Sequence, residues 1–147
     1  MSSGIVSGIK PKAECFEAFD DVKMKKKSLY AIFRIVKTDE KKKEEIVLDL
    51  KAPEGATYQD FYDHMMERKS EGCYAVIDYR SPQGNRLGFI TWASDELKIK
   101  PKMLYASSME DFKNKLDGIH FVMTASCPDD LSEDRISEHA KLCRRFT

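Results

Sequence analysis

The sequence predicts one α/β domain around a single core, with helices packed on both faces of a mixed sheet. Three observations predict it. The chain has 147 residues, the size of one domain, and no linker or internal repeat divides it. Helix-period and strand-period segments alternate as α-β-β-α-β-β-α-β-α, and helices between strand pairs place layers on both sides of a sheet. One strand segment, "CYAVIDY" (73–79), is a nearly continuous apolar run, as a strand covered on both faces requires.

The first ten or so residues are small and polar and are expected to be mobile. Residues 12–24 put Cys15, Ala18, Phe19 and Val22 on one stripe at helical spacing. "SLYAIFRIVK" (28–37) is β-branched and aromatic, "TDEKKKEE" (38–45) is a charged turn, and "EIVLDL" (45–50) alternates, so 28–50 reads as a hairpin. Thr57 is placed to cap a helix whose Tyr58, Phe61, Tyr62, Met65 and Met66 form the buried stripe. The strand 73–79 follows, then the turn "SPQGN" (81–85) and the strand "RLGFITWA" (86–93). Next come a helix over 100–116, a short strand "HFVMTA" (120–125) and a last helix over 131–145, capped near Ser132. That helix carries Glu133 and Asp134 early and Lys141, Arg144 and Arg145 late, matching the helix dipole.

Composition excludes several classes. Formal net charge is zero, against the basic balance of a general nucleic-acid binder. The longest apolar runs fall far short of the roughly 20 residues of a membrane span. The start, "MSSGIVSGIKPKAE", lacks the pattern of a secretory signal. Cys15, Cys73, Cys127 and Cys143 form no CxxC pair and read as free thiols in a reducing compartment, the first three in apolar, core-like contexts. His64, His120 and His139 lie far apart, and no phosphate loop, dinucleotide fingerprint or metal-ligand spacing is present. The chain is therefore expected to be no enzyme, with no cofactor and no metal.

The helix over 100–116 holds the informative residue. At about 100° per residue, Tyr105, Ser108, Met109, Phe112, Leu116 and Ile119 share a core-facing stripe. Met103 falls opposite, with Ser107, Glu110 and Asn114 on its side. Lys100 and Lys102 flank it at the helix start, where the dipole disfavours cations. An apolar, flexible side chain between two lysines on a rigid helix suits docking into an acidic-rimmed protein cleft. A lone exposed apolar residue needs no such explanation; the lysines tip the balance.

"KPKMLYASSMEDFKNKLDGI" (100–119) resembles the long helix of the actin-depolymerising factor/cofilin family. That pattern is a basic residue, one residue, Lys-Met, an aliphatic residue and Tyr-Ala-Ser-Ser, ending in a Leu-x-Gly-Ile tail. "SGI" (7–9) followed by Cys15, Phe19 and Lys23 resembles the family's start, and "CYAVIDY" and "FITWAS" its central strands, so the resemblance covers roughly 7–142. It implies a single ADF-homology domain over 7–147, preceded by a flexible extension over 1–6. The implied sheet has five to six strands. It implies an actin-binding protein that binds monomers and filaments and promotes disassembly, with severing as a further activity. Within the same fold, a glia-maturation-factor-like binder of the actin-related branching complex is the alternative, as is a monomer binder with weak severing.

By resemblance, Lys100, Lys102 and Met103 contact actin, with Ser107, Glu110 and Asn114 continuing the face and Ser7, Gly8 and Ile9 joining from the N-terminus. The family's phosphorylated serine maps to Ser7, or to Ser3. The filament-specific site maps to the hairpin and last helix: Arg80, Arg86, Arg135 and Lys141. Gly84 stands where a second basic residue is often found, which puts severing in question more than monomer binding. "KMKKK" (23–27) and the family's habits raise phosphoinositide lipids as a further partner. A monomer in the cytoplasm and cytoskeleton, with nuclear entry open, completes the expectation.

Overall fold

The computed structural model describes residues 9–37 and 43–142. Six strands and four α-helices follow in order: β1 (Lys10–Pro11), α1 (Ala13–Lys23), β2 (Tyr30–Lys37), β3 (Glu44–Lys51), α2 (Tyr58–Glu67), β4 (Cys73–Ser81), β5 (Gly84–Trp92), α3 (Ile99–Asn114), β6 (Phe121–Ala125) and α4 (Glu133–Lys141). A 3-10 turn, Pro128–Leu131, precedes α4. The sheet order is β1-β3-β2-β4-β5-β6. Its centre is antiparallel, while the outer pairs β1·β3 and β5·β6 are parallel.

Alternation along the strands divides the core into two layers. Cys73, Ala75 and Ile77 of β4 and Ile90 and Trp92 of β5 face α2 and α4, meeting Phe61, Met65 and Ile136. Tyr74, Val76 and Phe89 face the other way and meet Phe19 and Val22 of α1 and Tyr105 and Phe112 of α3. Residues 73–78 are all buried, as expected of a strand sandwiched between helices. Thr57 closes a capping box: its hydroxyl accepts from the N–H of Asp60, whose carboxylate accepts from the Thr57 N–H at 2.9 Å. The indole N–H of Trp92 donates to the Met65 carbonyl at 2.7 Å, fastening α2 to the sheet.

Three expectations need correction. Mobility of the opening residues fails at their end: Ile9 is 4% exposed inside the α1/α3 layer, and Lys10–Pro11 pairs with Glu45 and Ile46. A two-residue edge strand tolerates Pro11, which has no N–H to offer the ladder. The last helix starts at Glu133, because Pro128 opens the 3-10 turn and Ser132 is extended before capping Arg135. Cys127 is half-buried where a core position was expected, while Cys15 and Cys73 are buried. The turn residues 38–42, the extension 1–6 and Cys143 lie outside the described residues.

Candidate functional site

The head of α3 is built to face outward. No side chain caps it, no acidic residue lies in its first turn, and Lys98, Lys100 and Lys102 crowd its positive end. The helix is nevertheless bolted down. The Tyr105 hydroxyl accepts from the N–H of Ile35 in β2 at 3.0 Å, and the Tyr105 carbonyl accepts from the Tyr74 hydroxyl at 2.6 Å. Burial pushes the Tyr105 phenol up to about 12, so it stays a neutral rivet. Phe112 packs edge-on against Phe33, 5.4 Å between ring centroids.

On this support Met103 is 65% exposed, on the outward side with Ser107, Glu110 and Asn114. Within α3, Tyr105, Ser108 and Phe112 are buried and Met109 half-buried, so the helical phase holds; the helix ends at Asn114, two residues short of the expected end, and Leu116 (buried) and Ile119 (half-buried) follow it. Lys100 is exposed and makes no ion pair among the described residues. Lys102 reaches Asp95 at 3.4 Å, but both groups are open to solvent. Such pairs contribute roughly 0–1 kcal/mol and are easily exchanged. One residue was missed: Ile99, 73% exposed, one turn before Met103 on the same side. Its i,i+4 spacing to Met103 was the available signal, hidden because α3 begins one residue earlier than read. Beside this apolar pair, Lys100, Pro101 and Leu104 with Ile35, Val36 and Lys37 line a groove of about 470 Å³ between α3 and the β2–β3 hairpin.

The N-terminal positions divide. Ile9 spends its side chain in the chain's own core and has none to offer a partner. Ser3, Ser7 and Gly8 lie outside the described residues.

The expected filament residues divide too. Register pairs Tyr79 with Arg86 and Arg80 with Asn85, so Arg80 and Arg86 leave opposite faces of the β4–β5 hairpin. Arg80 lies 3.5 Å from the nearly buried carboxylate of Asp78. Arg86 faces α4, where it and Lys141 line one cleft of about 280 Å³. Arg135 pairs with Asp130 at 3.3 Å, away from that cleft. β2 and β4 run antiparallel, so the hairpin cleft and the α3 head lie at opposite ends of the sheet. One strand of nine residues separates them, roughly 30 Å at about 3.3 Å per residue.

Neither buried thiol is poised for nucleophilic chemistry. Burial raises Cys15 to about 11 and pushes Cys73 up further. Among the described residues, no three His, Cys, Asp or Glu side chains group as metal ligands.

Comparison with known proteins joins this geometry to a family. The model described as cofilin/tropomyosin-type actin-binding protein matches residues 8–141. Actophorin of Acanthamoeba castellanii is 34% identical over 140 residues, covering 92% of this chain and 97% of that protein. Actin-depolymerizing factor 11 of Oryza sativa is 34% identical over 139 residues, covering 91% and 92%. Among solved structures, the cofilin of Streptomyces griseoflavus superposes with a TM-score of 0.77 at 27% identity, covering 90% of this chain and 99% of that one. Coactosin from Entamoeba histolytica, at 19% identity and a TM-score of 0.74, covers 95% and 99% and shares the fold. With a family model spanning all but the chain's ends, and relatives matched over most of both lengths, the chain belongs to the cofilin/ADF family.

Proposed function

We propose that this protein binds actin and promotes filament disassembly, docking the head of α3 into a groove of the actin subunit. The carrying observation is the pair Ile99 and Met103, exposed between Lys100 and Lys102 on a helix fixed to its own sheet. Two apolar side chains facing water on a rigid support are binding surface without an internal partner. The lysines and the uncapped helix N–H groups favour an acidic rim. Ser107, Glu110 and Asn114 extend the contact, and the N-terminal Ser7 and Gly8 join it. Phosphorylation at Ser7, or at Ser3, would add negative charge there and repel that rim.

Arg86 and Lys141 are proposed to touch a second actin subunit in filaments, with Arg80 and Arg135 flanking. The protein acts by population shift: it binds one filament state better and makes or breaks no bond. Relatives bearing the names actophorin, cofilin and actin-depolymerizing factor favour this reading over a binder of the branching complex. A monomer acting in the cytoplasm and cytoskeleton fits it. Phosphoinositide binding through the lysines at 23–27 and nuclear entry are the finer proposals.

The test is co-sedimentation with filaments and titration of fluorescent actin monomers. Lys100→Ala with Lys102→Ala should leave folding intact and weaken monomer binding at least tenfold, about 1.4 kcal/mol. Unchanged affinity in the double variant would remove α3 from the interface.

A further inference from the structure

We propose that Ser81 is a phosphoacceptor and that the adjoining cleft, through Arg86 and Lys141, holds its phosphate and so switches off the filament face. The proposal rests on the reading of the hairpin and α4 as that face.

The sequence marks Ser81 first. The five prolines follow Lys10, Ala52, Ser81, Lys100 and Cys127, so Ser81 is the one hydroxyl residue followed by proline. Pro82 holds the preceding residue extended, the form in which a kinase cleft reads a peptide. The hairpin then presents it. Ser81 pairs with Gly84 across a two-residue turn, and Pro82 and Gln83 are exposed. Hairpin tips open locally far more readily than the core does. Among the described residues the Ser81 hydroxyl donates only to the Gly84 carbonyl, at 2.7 Å, which the turn can release to solvent.

The cleft supplies the other half. Ser81, Arg86 and Lys141 line the same 280 Å³, with Tyr79 and Ser137, and no carboxylate is among the described lining residues. A water claims about 30 Å³ of liquid, so a tetrahedral phosphate fits with solvent to spare. The Arg86 guanidinium gives one bond, to the Asn85 carbonyl at 3.1 Å, and neither cation is ion-paired among the described residues. Their remaining donors suit charge-assisted bonds to phosphate oxygens.

The chemistry is ordinary phosphoryl transfer from a nucleoside triphosphate by a protein kinase. The Ser81 oxygen attacks the γ-phosphorus, the bond to the bridging oxygen breaks, the nucleoside diphosphate leaves, and the hydroxyl proton passes to the kinase's base. The phosphate brings about −1.5 to −2 charges at neutral pH. That offsets the two cations with which the cleft meets a filament. The α3 head, at the other end of the sheet, is untouched.

Two experiments test it on the full chain. The first incubates folded protein with a proline-directed kinase and ATP and maps sites by mass spectrometry, with Ser81→Ala and Pro82→Ala as controls. Modification at Ser81, lost in both variants, is expected; a folded chain left unmodified at Ser81 overturns the acceptor. The second installs phosphoserine at 81 during synthesis and follows its ³¹P titration. Its second ionisation should fall below the ordinary value of about 6 and return there when Arg86→Ala and Lys141→Ala are added. A titration like that of a free phosphoserine peptide overturns the cradle. Phosphoserine should also weaken filament co-sedimentation at least tenfold, about 1.4 kcal/mol, with monomer affinity kept within twofold. Equal losses in both assays overturn the switch. If unmodified protein binds no actin at all, the proposed function fails while the ³¹P result still decides the cradle.

Discussion

Met103→Ala isolates the apolar half of the proposed α3 contact. Fully burying a methionine-sized side chain contributes about 1.5–3 kcal/mol relative to leaving it in water. Met103 is 65% exposed in the free chain, so about two-thirds of that gain is still available to a partner. Complete burial in a groove would supply about 1–2 kcal/mol, a five- to thirty-fold change in Kd. Alanine keeps a small part of the contact and raises helix propensity, so the lower half of the range is expected. Folding should barely change, because an exposed side chain with no partner contributes under about 0.5 kcal/mol. The assay is a fluorescent-monomer titration beside a urea melt followed by Trp92, which is buried and reports the core. The lysines add a separable signature: their loss should flatten the salt dependence, whereas Met103→Ala should leave its slope unchanged. Wild-type affinity in Met103→Ala with an unchanged melt would refute the docking geometry. A destabilised melt would instead show that the side chain packs internally.

Other consequences are structural. Thr91 is 2% exposed and its hydroxyl finds no partner among the described residues; Thr91→Val keeps the shape, removes the orphan and should stabilise by about 1 kcal/mol in urea unfolding. A lower midpoint would mean that the hydroxyl is satisfied. Gly88 lies under the Phe121 ring, and an added methyl would meet that ring at once; Gly88→Ala should cost about 1–3 kcal/mol, read as a lower melting temperature, and a neutral result would mean β6 shifts freely. His120 Nδ1 accepts from the Leu87 N–H at 2.8 Å, and burial, then the nearby Arg86 charge, hold its pKa below the ordinary imidazole value. The neutral form therefore stabilises the fold above about pH 6.5, and that contribution fades as pH falls through the lowered value. His120→Asn keeps an acceptor and takes up no proton, so its unfolding midpoint should fall less between pH 7 and 5. Parallel pH profiles would assign the acid sensitivity elsewhere.

Most of the fold was legible because it rests on local patterns. The stripe Cys15, Ala18, Phe19, Val22 and the cap at Thr57 state their helices in a few adjacent residues. β1 was not legible, because two residues carry no periodicity and Lys10–Pro11 becomes a strand only by lying against β3. The site divides along the same line. Exposure of Met103 follows from helical phase alone, and it holds. Which face of a hairpin a residue leaves depends on register, and register grouped Arg86 with Lys141 while sending Arg80 to Asp78. Ile99 was hidden by a boundary error of one residue, the scale at which helix ends are least determined.

The separation of the two faces bears on mechanism. A contact confined to the α3 head would be satisfied by one actin subunit and would bind monomers and filaments alike, apart from access. A second contact roughly 30 Å away at the other end of the sheet (nine residues of β4 at about 3.3 Å each) can be made only where a second subunit stands in the right place. The rigid sheet between them fixes their mutual placement, so the pair selects one arrangement of neighbouring subunits. Filaments that sample that arrangement are drawn toward it by the differential affinity of the second contact and no more. The proposed second face is modest: Arg86 and Lys141 share a cleft, Gly84 offers no charge, and Arg80 and Arg135 each lie beside a carboxylate of their own chain. The bias it can impose on filament geometry is correspondingly small. Monomer binding, if made through the proposed contact at Ile99, Lys100, Lys102 and Met103, should therefore survive changes at the hairpin that abolish disassembly. Gln83→Lys, exposed on the same hairpin and lining the same cleft, should strengthen disassembly without altering monomer affinity; a change in monomer affinity instead would mean that the two ends do not act separately.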